Sequence, residues 1–588
     1  MAGDDYFSSG AVLRPGVGAM VGQGRIFGGV LLLAACMVGL RCSPSSGGGE
    51  GGSEKPAIPM PPIPIPPLPD PSTTPEPSPG DAGTPPPDAG TPDAGTPEPP
   101  RATRCEPDGG ARHWLLEGET LSVTLRCAKG LTGPDVRFTV SPLPPGATVD
   151  EAAGTFQWTP GKDQAAVWTL TITERSTGET GALEVGVVDN WQAPGNAPIA
   201  DPAKYPEEYG LPVFHLIFSG TLTAGDYRPA ELVYRGHRYT IGAKYRGATS
   251  SVFPKRSMTF KFADDDAFSE PVEAGGGFTG RHRVALVTHF NDNSYLRPRL
   301  AFDLWNRMSS EHIQLKTYSA VLYMNGRYWG VFTVIDHVDD DLLERQGLSK
   351  TGDLFKAVDA DANFSRLDAD GAPKTTLHQG YEKSEGKPPE GWPGAFDGLE
   401  ALTAFVADAD AATFRDKRGE YMKPQDYEDW WIFNTLILGT DSSAKNANHY
   451  MAREPRSPSR FIPWDLDASF GQGWDTRRQA ANALPDFSDD NLLFARMLQE
   501  PTIAGPMRER YQQLLHGPLS KTEVLHLIDG YVSELDASAR RDEARWGQQY
   551  RTFERWADRT DFTTYTQEVD YIRQWVNQRW DLLEHRLP

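Results

Sequence analysis

The chain has 588 residues, of which 58 are Lys or Arg and 80 are Asp or Glu, so its formal net charge is −22. An acidic chain lacks the positive surface that non-specific nucleic-acid binding requires, and we expect no nucleic-acid partner. Hydrophobic residues make up 38% of the chain, with 15 Trp, 20 Tyr and 26 Phe, which excludes a wholly disordered protein.

Residues 1–42 have the features of an export signal. The apolar run Ile26–Leu40 is shorter than the roughly 20 residues that a membrane span needs, and it suits the core of a signal peptide. Cys36, in the string Leu-Ala-Ala-Cys, resembles the lipidated cysteine of bacterial lipoproteins; Cys42 is a weaker alternative because an arginine precedes it. An ordinary cleaved signal or a short anchor is the other interpretation. We expect an exported lipoprotein, held by its lipid in the periplasm, at the outer membrane or at the cell surface.

Residues 43–104 are rich in Gly, Ser and then Pro. A segment of this composition cannot bury enough apolar surface to offset the entropy of ordering its backbone. Proline-rich stretches also extend as semi-rigid spacers. We therefore predict a disordered linker that holds the folded part away from a membrane.

Residues 105–189 alternate apolar and polar side chains in short runs between Gly and Pro turns, which predicts a small β-sandwich. The stretch Pro142–Thr173 resembles the Ig-like repeats of bacterial surface proteins, and the resemblance implies a structural or adhesive spacer. In an exported chain, Cys105 and Cys127 are expected to form one disulfide, which would stabilise this module by about 3 kcal/mol. A second linker is predicted over 190–204.

The remaining residues, 205–588, change character along their length. The first part has strand-like alternation and the pair Asn325-Gly326 between two apolar runs, a strong hairpin signal. The second part has apolar residues at helical spacing, as at Ile572, Trp575 and Val576 near the C-terminus, and Ser520 begins a capping-box pattern. We predict an α+β domain with a β-rich front lobe, a helical second lobe and a cleft between them.

Acidic and amide residues cluster in the second part of this domain. Asp441, Asn446 and Asn448 lie in one segment, and Asp465 and Asp467 follow shortly after it. Asp-x-Asp at strand spacing would place both carboxylates on one side of a strand. Two carboxylates with a nearby amide oxygen suit a hard cation such as Mg²⁺. The alternative is a pair of solvated acids beside a turn.

Several segments, in order along the chain, resemble the CotH kinase family of spore-coat-type atypical kinases. The resemblance extends from about Leu211 to the C-terminus, and its main segments are Arg246–Ser257, Ala285–Met308, Leu322–Leu343 and Gly352–Phe364. It implies a protein kinase that uses ATP and a divalent metal, Mg²⁺ or Mn²⁺, to phosphorylate Ser or Thr of exported proteins.

The resemblance also implies roles for the acidic and amide residues. Asp441 matches the catalytic aspartate that accepts or orients the proton of the substrate hydroxyl. Asp465 matches the metal-binding aspartate, and Asp467 joins a second metal or supports the first. The amide ligand is Asn446 or Asn448, and the sequence does not separate them.

The same resemblance assigns the nucleotide contacts. Lys255 or Arg256 would contact the phosphates, and Arg297 falls at a family position where this chain has Leu-Arg-Pro. Two other functions compete with the kinase. One is a catalytically silent assembly or adhesion scaffold of the cell surface, and the other is a metal-dependent hydrolase that uses Asp465 and Asp467. The substrate protein and the oligomeric state are not encoded in any motif.

Overall fold

The computed structural model describes residues 105–127, 136–192, 197–270 and 277–588. The predicted signal region with Cys36 and the predicted linker 43–104 lie outside the described residues. Within the described ranges, no helix is both long enough and apolar enough to cross a membrane.

The first folded part is a pair of four-stranded sheets that share one apolar core. Their strands are β1 (Cys105–Pro107), β2 (Arg112–Leu116), β3 (Leu121–Cys127), β4 (Phe138–Ser141), β5 (Thr148–Asp150), β6 (Thr155–Trp158), β7 (Ala166–Glu174) and β8 (Thr180–Val188). One sheet has the order β1-β3-β6-β5 and the other β2-β8-β7-β4. Both contribute alternate side chains to the core, including Val123 and Leu170. Cys105 and Cys127 form a disulfide between the paired strands β1 and β3.

The second part begins with an eight-stranded sheet. Its strands are β9 (Glu207–Glu208), β10 (Leu211–Ile217), β11 (Arg228–Tyr234), β12 (His237–Tyr245), β13 (Met258–Phe262), β14 (Arg283–Thr288), β15 (Thr317–Met324) and β16 (Arg327–Asp336). The order is β11-β12-β13-β14-β16-β15-β10-β9, and β10 also pairs with β11, so seven strands close into a ring around an aromatic-rich core. Asn325 and Gly326 have φ of 49° and 80°, which confirms the predicted β15–β16 hairpin.

Another four-stranded sheet has the order β18-β17-β19-β20 and lies within the part of the chain that we predicted to be helical. We call it the third sheet, since it is the third β structure along the chain, after the sandwich and the ring of strands. Its strands are β17 (Asp353–Ala357), β18 (Tyr381–Glu385), β19 (Ala447–Met451) and β20 (Arg460–Pro463). All three pairings in this sheet are antiparallel. The α+β class is confirmed, but the simple order of strands first and helices second is wrong, because this sheet is inserted among the helices.

Helices surround both sheets of the second part. They are α1 (Arg297–Met308), α2 (Asp340–Arg345), α3 (Asp397–Asp408), α4 (Ala411–Tyr421), α5 (Pro424–Ile437), α6 (Leu492–Gln499), α7 (Pro501–Leu515), α8 (Lys521–Arg551) and α9 (Tyr565–His585), with 3-10 turns at Pro202–Lys204, Thr249–Val252 and Glu554–Trp556. One continuous apolar core runs from the ring of strands through the helices to the third sheet. The ring therefore has an inner core of its own and an outer face that packs on the helices.

The sandwich is docked on the second part directly after β8. Asp189 accepts a hydrogen bond from the backbone N–H of Tyr328 at 2.7 Å, and Trp191 donates Nε1–H to the hydroxyl of Tyr323 at 2.7 Å. The Arg541 guanidinium on α8 lies 3.7 Å from the ring centres of both Trp191 and Tyr328. The beginning of the predicted linker 190–204 is thus held against the domain that follows it.

Candidate active site

Two loops meet at one edge of the third sheet. One loop ends at Asn446 and enters β19, and the other leaves β20 at Trp464. Because β19 and β20 are antiparallel, with Ala447 opposite Pro463, the start of one strand lies beside the end of the other. The Trp464 N–H donates to the Asn446 carbonyl at 3.0 Å and joins the loops. This edge brings together the acidic and amide residues that were predicted from distant segments.

The geometry of the Asp-x-Asp pair differs from our prediction. Strand β20 ends at Pro463, so Asp465 and Asp467 lie in the loop after the strand and not on one of its faces. Asp465 has φ of 55°, and Asn446 in the facing loop has φ of 58°. Such left-handed backbone is uncommon outside glycine, is tolerated best by Asn and Asp, and occurs often at functional sites.

The loop that contains Asp441 is fixed by its neighbours. Helix α5 ends in a left-handed residue, Leu438, and Gly439 follows it. A Cβ at Gly439 would lie 2.5 Å from Oδ1 of Asn434, so a larger residue would displace the loop. The loop carbonyls are held by buried side chains, since Trp430 donates to the carbonyl of Ser442 at 3.0 Å. Asp441 therefore stands on a well-supported turn between α5 and β19.

Asp441 is bound by the two residues that precede β19. The Asn446 amide donates to Oδ2 of Asp441 at 2.8 Å, and Lys445 Nζ lies 2.9 Å from Oδ1. Asn448 is buried inside β19, opposite Lys356 of β17. The structure thus places Asn446, and not Asn448, in contact with Asp441.

The remaining carboxylates influence each other strongly. Part of Asp465 is exposed to solvent. Its pKa is nevertheless raised, first because the surrounding protein excludes water from the carboxylate and then because the charge of Asp441 is close. Loss of contact with water, followed by the Asp465 charge, raises the pKa of Asp467 to about 8. The Asn291 amide donates to Oδ2 of Asp467 and partly opposes this rise. Asp441 is thus the strongest charged neighbour of Asp465, and Asp465 is the strongest charged neighbour of Asp467.

These oxygen donors suit a divalent cation whose coordination shell is only partly filled by the protein. Loss of contact with water and then the charge of a neighbouring aspartate raise the pKa of Asp465 and Asp467, and a cation beside these carboxylates would favour their charged forms. In the described ranges, one group of three Asp, Glu, His or Cys side chains has its ligand atoms within 4.8 Å of one another. It consists of Cys105, Cys127 and Glu179, and both cysteines are in the disulfide. The three aspartates are more widely spaced. Mg²⁺ commonly uses one or two carboxylates and completes its shell with water and phosphate oxygens, which suits this spacing.

The cations predicted to contact phosphates are engaged elsewhere. Lys255 is fully buried, with its Nζ bound to Asp542 of α8 and to the Val331 carbonyl. Arg297 is also fully buried, and its guanidinium is neutralised by carboxylates on two sides: Asp292 and Glu568 at 2.6 Å each. A free phosphate contact at Arg297 is therefore wrong, because the guanidinium is enclosed by its own counter-charges.

Arg256 has a less enclosed position. Its Nε–H donates to the Phe253 carbonyl at 3.2 Å, and its guanidinium lies 5.0 Å from the ring centre of Tyr245. None of these contacts directs Arg256 toward the three aspartates.

Sequence reasoning missed the cation that does lie beside the acids. Arg246, directly after β12, places its guanidinium 4.8 Å from the ring centre of Trp464, and Asp465 is its strongest charged neighbour. Arg246 is the first residue of the segment Arg246–Ser257, but the phosphate contact was expected at Lys255 or Arg256, near the end of that segment. Lys356 was missed as well, and its charge partly opposes the rise in the pKa of Asp465 that burial and Asp441 cause.

Comparison with known proteins gives two matches. Residues 243–583 match the family described as CotH kinase protein. The chain is also 27% identical over 302 residues to the inner spore coat protein H of Bacillus subtilis (strain 168), a match that covers 51% of this chain and 77% of that relative. Both the acid cluster and Arg246 lie within the family match.

Proposed function

The chain belongs to the CotH kinase protein family, and we propose that it is an exported atypical kinase that transfers the γ-phosphoryl group of ATP to Ser or Thr of extracytoplasmic or surface proteins. The observation that carries the proposal is the meeting of Asp441, Asn446 and Asp465 at one edge of the third sheet. Protein kinases use an aspartate followed five residues later by a metal-binding asparagine, and a separate metal-binding aspartate. Asp441 and Asn446 have this spacing.

The two-lobed layout predicted from the sequence is part of the proposal. The ring of strands would form the front lobe, and the helices with the third sheet would form the second. The neighbouring positions of Arg246, after β12, and Trp464, after β20, support a cleft between them. The buried ion pair between Lys255, in the loop before β13, and Asp542 of α8 supports it too, because kinases pair a lysine of the front lobe with a helix carboxylate near the nucleotide.

In this mechanism Asp441 accepts the proton of the attacking substrate hydroxyl. The hydrogen bond from Asn446 and the ion pair with Lys445 orient its carboxylate. Asp465 and Asn446 would hold the divalent cation, Mg²⁺ or Mn²⁺, with Asp467 as a supporting carboxylate. When bound, the cation supplies neutralisation of phosphate charge. Catalysis by the chain itself is then the positioning of the hydroxyl and the removal of its proton.

We propose the same location as the sequence predicts: a lipoprotein anchored through Cys36, with the sandwich as an Ig-like module between the anchor and the kinase domain. The substrate is a protein outside the cytoplasm, and nucleic acid is not a partner, since the chain is acidic.

The test is transfer of labelled phosphate from ATP by the purified full chain, with Mg²⁺ or Mn²⁺ and a casein acceptor. Asp441→Asn and Asp465→Asn should each lower the rate roughly 100-fold or more while the melting temperature stays near that of the parent. Asp489→Asn, at an exposed aspartate outside the site, is the matched control and should retain full activity.

A catalytically silent scaffold is the second candidate, because the relative is described as a spore coat protein. Nucleotide binding without any label transfer would favour the scaffold. Release of phosphate without a labelled protein would favour the hydrolase.

A further inference from the structure

We propose that Arg246 contacts the phosphates of the bound nucleotide, facing the carboxylates across the cleft. This inference rests on the proposed kinase function and names one more residue of its site. It differs from the sequence-based assignment, which gave the phosphate contact to Lys255 or Arg256.

The position of Arg246 is fixed from both sides. Its backbone N–H donates to the carbonyl of Ser257 at 2.9 Å, which anchors the residue at the end of strand β12. Its guanidinium lies on the ring of Trp464, 4.8 Å from the ring centre, and Trp464 directly precedes Asp465. The cation therefore belongs to the ring of strands, but it reaches the loop of the third sheet that carries the acids.

The charge of Arg246 is not satisfied by the protein. Its Nη1 is buried and has no hydrogen-bond partner. In the part of the chain that the structure describes, no carboxylate oxygen lies within 4 Å of a side-chain nitrogen of Arg246. Asp465 is near enough that its charge opposes the lowering of the Arg246 pKa by burial. Arg246 as a whole is partly exposed, but a buried N–H without a partner is costly, so the enclosed Nη1 indicates a place that an anionic ligand completes.

Two other basic residues of the region are paired. Lys255 is bound to Asp542, and Lys445 is bound to Asp441 at 2.9 Å. Among the described residues Lys356 has no ion pair within 4 Å either, but its Nζ is not enclosed without a hydrogen-bond partner as Nη1 of Arg246 is. Arginine also suits the ligand, because its planar fork donates two parallel hydrogen bonds to phosphate oxygens. A phosphate between Arg246 and a cation on Asp465 would satisfy the guanidinium and the carboxylate together.

The experiment compares the binding of ATP and of adenosine to the full chain by isothermal titration calorimetry with Mg²⁺. Arg246→Met should weaken ATP binding roughly 10- to 100-fold and leave adenosine binding unchanged, because only ATP carries the phosphates. Arg228→Met, at an exposed arginine on β11 of the same ring of strands, is the matched control, and its ATP affinity should stay within about twofold of the parent.

Thermal unfolding of each variant shows whether it is folded. If Arg246→Met does not fold, Arg246→Lys decides the matter, since lysine keeps the charge but lacks the fork: a several-fold loss of ATP affinity supports the inference, and parental affinity overturns it. Parental ATP binding by folded Arg246→Met also overturns it while the kinase proposal stands. A parent chain that binds no ATP overturns both.

Discussion

At the scale of single residues, Asp542 connects three distant segments. Its carboxylate is bound by Lys255, by the Val331 backbone N–H at 2.6 Å and by the Tyr295 hydroxyl at 2.9 Å. Lys255 and Asp542 are separated by 287 residues. Each charge is buried and has the other as its counter-ion, so neither can be removed alone without a large penalty.

We therefore predict that Asp542→Asn lowers the free energy of unfolding by about 3–5 kcal/mol, because it leaves the Lys255 charge uncompensated. Urea denaturation measures the loss. Asp536→Asn is the control from the same helix, since its ion pair with Arg540 is exposed and should contribute less than about 1 kcal/mol. Equal losses from the two substitutions would contradict the prediction.

His215 gives a prediction for pH. It is buried on β10 and donates Nε2–H to the Tyr205 carbonyl at 2.8 Å, and burial lowers its pKa from 6.5 to about 4. The native state stays unprotonated while the unfolded state takes up a proton, so this residue's contribution to stability is complete above about pH 6.5 and falls as the pH drops toward 4.

In His215→Gln the side chain keeps a donor for Tyr205 but does not titrate. We expect the unfolding free energy of the parent, relative to this variant, to fall by about 1.4 kcal/mol for each pH unit between those two pKa values. A difference that does not depend on pH would show that the pKa of His215 is the same in the folded and unfolded states, and would contradict the prediction.

At the scale of elements, the approach of helix α8 to the ring of strands depends on one glycine. Gly330 on β16 has φ of +118°, and a Cβ there would lie 2.0 Å from Oδ2 of Asp542. The strand can take that conformation, and the carboxylate can come that close, only because no side chain intervenes. The helix and the sheet are thus joined by a polar contact inside an apolar interface.

Gly330→Ala should destabilise the protein by about 2 kcal/mol or more, because it adds backbone strain and displaces Asp542. Gly505→Ala in α7 is the matched substitution, since no atom lies within 4 Å of its new Cβ. That variant should be neutral or stabilised by up to about 1 kcal/mol. The measurement is the denaturation midpoint of both variants, and a tolerated Gly330→Ala would contradict this account of the interface.

Local patterns predicted the elements better than the contacts between them. Asn325-Gly326 specified a hairpin, and the spacing of Ile572, Trp575 and Val576 specified the buried face of α9, because turn geometry and helical period are local properties. The segments of the acid cluster could also be found, since they lie close in sequence. The pairing of Arg246 with Trp464 could not, because nothing in either segment encodes which strand end will face it.

At the scale of the whole molecule, the sandwich is a packed part of the folded chain. Asp189 and Trp191 bind the β15–β16 hairpin, and Arg541 lies between Trp191 and Tyr328. These contacts replace the free linker that the sequence predicted directly after the sandwich. Removing the sandwich would expose the aromatic surfaces and leave Arg541 without one of its two stacking partners.

A chain that starts at residue 197 should therefore melt at a lower temperature than one that starts at residue 105, and Trp191→Ala in the longer chain should lose about 1–2 kcal/mol of stability. Differential scanning calorimetry measures both. Val252→Ala, at an exposed apolar residue far from these contacts in sequence, is the control and should change little. Equal melting temperatures of the two chains would show that the sandwich does not stabilise the domain that follows it.

Arg541 and Asp542 are neighbours on α8. Arg541 stacks on Trp191, directly after the sandwich, and Asp542 forms an ion pair with Lys255. A tensile force applied to the sandwich would therefore reach α8 at Arg541, through the contact of this residue with Trp191. The next residue along the helix is Asp542, the counter-ion of Lys255, so such a force would act beside the proposed cleft.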